Sequence, residues 1–125
     1  MTPLRVPEFL LRRLYVKGSL RTTSDGFQFE LRNTLGSGYA RRLAPIVVNG
    51  HELDIRWCYF EIDDGEHLFS EVTPENPFSL AMNRTSVLRV RGYELPCGPT
   101  TLNIGFEIQG LGDISFQVSD TALNG

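Results

Sequence analysis

Apolar and polar residues alternate one by one through three stretches of this chain, and that period of two restricts the fold more than any other feature. In Gly26-Phe27-Gln28-Phe29-Glu30-Leu31-Arg32, the side chains of Phe27, Phe29 and Leu31 face one way and those of Gln28, Glu30 and Arg32 the other. Leu102, Ile104, Phe106 and Ile108 repeat the pattern against Thr101, Asn103, Gly105, Glu107 and Gln109, and Ile114, Phe116 and Val118 repeat it again. A strand buried on one face places its side chains in this way, whereas a helix would need spacings of three and four.

Weaker segments complete a meander. Leu88 and Val90 alternate with Arg89 and Arg91, and the apolar run Pro45 to Val48 ends at Asn49-Gly50, a strong hairpin signal. From Ile55 to Ile62 the phase changes: Ile55, Trp57 and Tyr59 hold one register and Phe60 and Ile62 the other, so a bulge is expected near Tyr59. Asp63-Asp64-Gly65 reads as a turn into a strand over Glu66 to Val72, and Pro74 to Pro77 as a loop before Phe78. Val6 to Leu14 is the best helix candidate and reads equally well as an N-terminal strand. Roughly seven to nine strands with frequent turns imply an all-β, antiparallel two-sheet sandwich, jelly-roll or immunoglobulin-like, with little or no helix.

At 125 residues the chain suits one domain, 1–125, with a core that needs no metal or disulfide staple. A hydrophobic fraction of 41% and a charged fraction of 22% are those of a globular protein. The formal charge of −3 argues against a nucleic-acid partner, because phosphate binding depends on clustered cations. No apolar run is long enough for a membrane span, and Arg12 and Arg13 interrupt Phe9-Leu10-Leu11 before a signal-peptide core can form. The expected location is cytoplasmic. Cys58 and Cys97 have no zinc-site spacing and are expected as reduced, largely structural thiols.

The residues that carry chemistry are sparse. His51, near Glu52 and Asp54, and His67, near Asp63, Asp64 and Glu66, are the only histidines, and both flank turns where polar residues belong. They do not compose a metal motif, and the acidic cluster lacks the D-x-D-x-D-G calcium pattern. There is no G-x-S-x-G element, and Gly36-Ser37-Gly38 lacks the lysine and following helix of a phosphate loop. No catalytic residue and no metal ligand is therefore assigned on this chain. The interface candidate is Leu35 to Arg42, read as a loop, where Tyr39 stands beside Arg41 and Arg42. An aromatic ring with guanidinium groups is a composition enriched in interfaces, and Arg32 just before it extends the set.

The order of elements resembles the small β subunit of bacterial C-glycoside deglycosidases over about Gly18 to Val118. The resemblance rests on Gly26 to Arg32, the Tyr39 segment, Ile46-Val47-Val48-Asn49-Gly50, and Tyr93-Glu94-Leu95-Pro96-Cys97-Gly98-Pro99-Thr100-Thr101-Leu102. The chain departs from that pattern around Gly110-Leu111-Gly112, where a hairpin leads into Ile114 to Val118. The resemblance implies an accessory subunit of a hetero-oligomeric carbon–carbon lyase acting on 3-oxo-C-glycosides. Its active site and divalent metal, manganese or magnesium, would lie on a catalytic TIM-barrel-like α subunit. A free-standing carbohydrate-binding module, with Trp57 and Tyr39 as the available rings, is the alternative. A small independent enzyme working through a metal at His51 or His67 is the third reading.

Overall fold

The computed structural model describes residues 6–62 and 65–124. A four-residue helix, α1 (Glu8–Leu11), and a 3₁₀ turn (Arg12–Leu14) precede β1 (Arg21–Thr22), β2 (Gly26–Arg32), β3 (Gly38–Leu43), β4 (Val47–Val48) and β5 (His51–Glu52). Then follow β6 (Cys58–Ile62), β7 (Gly65–Leu68), β8 (Phe78–Leu80), β9 (Thr85–Arg91), β10 (Pro99–Ile108), β11 (Gly112–Thr121) and β12 (Leu123–Asn124). One sheet has the order β12-β1-β2-β9-β6-β7, and the other has β5-β4-β10-β3-β8 with β11 also on β10. The pairing is antiparallel except where β1 meets β12 in parallel at Arg21–Leu123 and Thr22–Asn124. The all-β two-sheet sandwich is therefore the fold, with one short helix.

The second sheet is organised by β10. Strand β11 pairs with it along its full length, from Pro99–Thr121 to Ile108–Gly112. On the opposite edge, β4 takes Leu102 and Asn103 while β3 takes Phe106 to Ile108, so residues 38–48 behave as one interrupted strand. The interruption falls at Ala44 and Pro45; the Ala44 N–H still donates to the Gly105 carbonyl, and Pro45 has no N–H to give.

The alternating stretches bury the faces that their spacing assigns. Phe27, Phe29 and Leu31 of β2, Leu88 and Val90 of β9, and Leu102, Ile104, Phe106 and Ile108 of β10 all enter one hydrophobic cluster together with Phe116 of β11. Each large side chain taken out of water contributes on the order of 1.5–3 kcal/mol, which is why these strands fix the register of both sheets. Gly26 is required at the start of β2, since a Cβ there would collide with the Val90 carbonyl. The β4–β5 hairpin turns at Asn49 and Gly50 with φ of 49° and 82°, the left-handed pair that an Asn-Gly turn supplies.

Several expectations are corrected. Residues Gly38–Leu43 form strand β3 rather than part of a loop, because Ala40 and Leu43 are buried between exposed neighbours. No bulge lies near Tyr59: the pairs Cys58–Val90 to Glu61–Val87 run without a shift. The change of phase comes from a 3₁₀ turn, Ile55–Trp57, which rotates the chain before β6 begins. Asp54 holds that turn by accepting from the Arg56 N–H, and the Arg56 side chain keeps its carboxyl low, at about 2. The expected strand Glu66 to Val72 ends at Leu68 and continues as a 3₁₀ turn, Phe69–Glu71. Val6 to Leu14 forms neither a full helix nor a strand but α1 and its 3₁₀ extension. Asp63 and Asp64, proposed for the β6–β7 turn, lie outside the described residues. Cys58 is wholly buried and its thiol is pushed up by that burial, whereas Cys97 is exposed and contributes nothing to the core.

No helix among the described residues is long and apolar enough to cross a membrane.

Candidate binding cavity

Two links between the sheets meet at one end of the sandwich. Residues 33–37 carry the chain from β2 to β3, and residues 81–84 carry it back from β8 to β9. Asn33, buried between them, fastens both. Its Nδ2 donates to the Gly36 carbonyl at 2.7 Å and the Leu80 carbonyl at 2.8 Å, while its Oδ1 accepts from the Leu35 and Gly36 N–H groups at 3.2 and 3.3 Å. The backbone of the same residue donates to the Arg84 carbonyl and accepts from Asn83. Ser37 Oγ accepts from the Met82 N–H at 3.2 Å, so the two links form one stapled unit.

Behind this unit, between the sheets, lies a partly open cavity of about 240 Å³. Leu31 and Leu88 form its wall on one sheet, Leu43, Phe106 and Ile108 on the other, and Leu11 and Leu14 of the N-terminal turns close one side. Leu35 and Leu111 line it too and remain partly exposed. The lining is mostly aliphatic. Ser86 interrupts it: this residue occupies an inward position of β9 opposite Leu31, is 6% exposed, and lies in the cavity wall. Such a space suits an apolar guest held by one or two polar contacts.

The sequence points to this region only indirectly. Asn33 carries an Asx-turn signature, an Asn followed two and three residues later by amides it can cap. Ser86 breaks the apolar inward phase that Leu88 and Val90 continue. Neither signal says that the two residues share a cavity.

The expected interface residues divide. Tyr39, 52% exposed, lies on β3 opposite Ser79. Arg42 lies opposite Glu107, but Ala40 lies opposite Ile108, leaving Arg41 as the extra residue of a bulge. Both guanidinium groups consequently reach one carboxylate, Arg42 at 3.1 Å and Arg41 at 3.7 Å from Glu107. Tyr39, Arg41 and Arg42 thus share one exposed strand. Arg32 does not join them; it ends β2 in the other sheet, opposite Thr85.

The histidines are also apart. His51 belongs to β5 and stacks on Tyr93 with ring centres 6.1 Å apart, while His67 belongs to β7 and stacks on Phe60 at 5.2 Å. Among the described residues, no group of three or more His, Cys, Asp or Glu side chains is arranged to hold a metal. Of the two rings considered for sugar stacking, Trp57 ends the 3₁₀ turn before β6 and Tyr39 lies on β3 of the second sheet.

A family model described as hydroxymethylglutaryl-CoA reductase, N-terminal domain, matches residues 10–123. No curated protein matches the chain. The match covers nearly the whole sandwich and points to a different family from the C-glycoside deglycosidase subunit. It overturns the lyase-subunit function expected from that resemblance, together with its carbohydrate-binding alternative. The fragments that carried the resemblance, alternating strands joined by Gly-containing turns, are what many antiparallel sandwiches need for reasons of packing.

Proposed function

Because this chain belongs to the hydroxymethylglutaryl-CoA reductase N-terminal domain family, we propose that it is a noncatalytic accessory domain that binds a larger catalytic reductase module. The observation that carries this reading is the β3 bulge, which sets a half-exposed Tyr39 on the same strand as two adjacent arginines, Arg41 and Arg42. Tyr and Arg supply a large share of the energy at protein interfaces, the ring through area at low entropic cost and the guanidinium through directed hydrogen bonds. Glu107 compensates one of the two positive charges and holds both side chains near a common geometry. Asp113, opposite Glu107 on β11, adds a second carboxylate to this face, so it offers a ring and two directed guanidinium groups rather than a net charge. Arg32, which ends β2 in the other sheet, is not part of this face.

The separation of His51 from His67 supports a binding rather than a catalytic role, since each ring is engaged by its own aromatic neighbour, Tyr93 and Phe60. We also place the protein in the cytoplasm, where a reducing environment suits the free thiols of Cys58 and Cys97.

The test is a binding titration between this chain and a reductase catalytic module. Tyr39→Ala and Arg42→Glu should each weaken association about thirtyfold, the effect of losing an interface anchor worth about 2 kcal/mol. Arg21→Glu, on the other sheet, should leave it unchanged. A module that fails to bind the wild-type chain would end the proposal, and wild-type affinity in both β3 variants would remove this face from it.

A further inference from the structure

We propose that the cavity at the crossover end is a binding site for a small neutral molecule that has an apolar ring or branched chain and a single hydroxyl or carbonyl group. The proposal stands apart from the docking role of β3 and needs no partner protein. Three observations carry it.

The first is size. A dry apolar cavity of roughly 150 Å³ accommodates benzene. The 240 Å³ of this partly open cavity therefore has room for a guest of about eight to ten heavy atoms. The second is chemistry. Leu31, Leu43, Leu88, Phe106 and Ile108 offer no polar atom from their side chains, and Arg84, also in the lining, is already engaged, so a charged guest would lose its hydration with little return.

The third is Ser86. It lies more than nine-tenths buried in the cavity wall, on the inward face of β9. Asn33, by contrast, has its side-chain donors and acceptor engaged in fastening the crossovers, so it has no need of a guest. A hydroxyl can donate to a carbonyl or accept from another hydroxyl. The guest's one polar group would therefore sit against Ser86 Oγ, with its apolar body directed between the sheets.

Two probes of nearly equal shape, p-cresol and toluene, separate the apolar and polar parts of this claim. Titrating each into the full chain while following methyl resonances by NMR should give saturable shifts at Leu31, Leu88 and Ile108. Ser86→Ala should weaken p-cresol binding about fivefold, the worth of one net hydrogen bond, and leave toluene binding within twofold of wild type. Leu80→Trp, which adds a ring at a partly exposed position of the lining, should remove binding of both probes. An unchanged amide fingerprint in each variant would show that the fold is retained. Absence of saturable shifts in the wild type overturns the proposal, as does an equal effect of Ser86→Ala on both probes. Undiminished binding by a folded Leu80→Trp variant overturns it as well. A chain that fails to bind any reductase module yet binds p-cresol with these properties would sustain this inference while ending the docking proposal.

Discussion

Thr100 is wholly buried on β10, and its Oγ1 has no hydrogen-bond partner among the described residues. A hydroxyl in that position loses its hydration and recovers nothing, whereas a methyl of the same shape loses none. Thr100→Val should therefore stabilise the protein by about 1 kcal/mol, read as a higher urea midpoint at unchanged slope. A lower midpoint would mean that the hydroxyl is satisfied in solution. Neighbouring exposed charges deserve the opposite weighting. Arg89 and Arg91 reach Glu61, Glu66 and Asp25 across the outer face of the first sheet, and Arg91 also lies over the Tyr59 ring at 4.3 Å. Such solvent-screened pairs contribute little each, so their number says little about stability.

At the scale of elements, Asn33 decides how two connections behave as one. Neither residues 33–37 nor 81–84 contribute a strand, yet the Asn33 side chain satisfies four backbone groups around them. Asn33→Ala leaves those groups without their partners and should cost about 3 kcal/mol. Hydrogen exchange at the Leu35 and Gly36 amides should accelerate more than exchange in β2, because the loss is local before it is global. Equal acceleration in both places would show that the crossovers do not open separately. The β3 bulge is the other element-scale device. One extra residue turns Arg41 toward the carboxylate that Arg42 already meets, and no reading of the local sequence reveals the slip, since it depends on where β10 lies.

The whole molecule is closed by a contact between its two ends. Tyr15 Oη donates to Asp120 Oδ2 at 2.7 Å, and the Gly18 N–H donates to the same oxygen at 2.8 Å, tying the N-terminal segment to β11. Burial pushes the Tyr15 hydroxyl's pKa well above its ordinary value, and the Asp120 hydrogen bond and charge push it further. For Asp120, burial acts upward, but donation from Tyr15, Gly18 and Thr121, with Lys17 nearby, outweighs it and leaves the carboxyl below its usual range. The two shifts have opposite consequences. A depressed carboxyl stabilises the fold above the unfolded value of about 3.9 and loses that contribution as pH falls through its folded value. A raised tyrosine keeps its contribution below the unfolded value of about 10 and loses it as pH climbs toward the folded one. Asp120→Asn should accordingly lower stability at neutral pH by an amount that shrinks below about pH 4, and Tyr15→Phe should flatten the decline above about pH 10. Unfolding free energies measured across pH test both, and parallel curves for wild type and variants would exclude this clamp as the source of the pH dependence.

By itself the sequence determined the sandwich, because burying one face of each strand is a local demand that Phe27, Phe29, Leu102, Ile104 and Phe106 state by alternation. It also determined the Asn49-Gly50 hairpin, where backbone sterics leave few choices. The phase change read between Tyr59 and Phe60 was legible as a break but not as the 3₁₀ turn Ile55–Trp57 that causes it, since a bulge and a tight turn shift the alternation alike. Tertiary structure alone decided the rest. Asn33 and Ser86 are 53 residues apart in sequence and line one cavity only because β2 and β9 pair, and Tyr15 finds Asp120 across 105 residues. Pattern in a sequence reports which side of an element is buried. The identity of the groups that meet there depends on sheet order and register, which long-range packing sets.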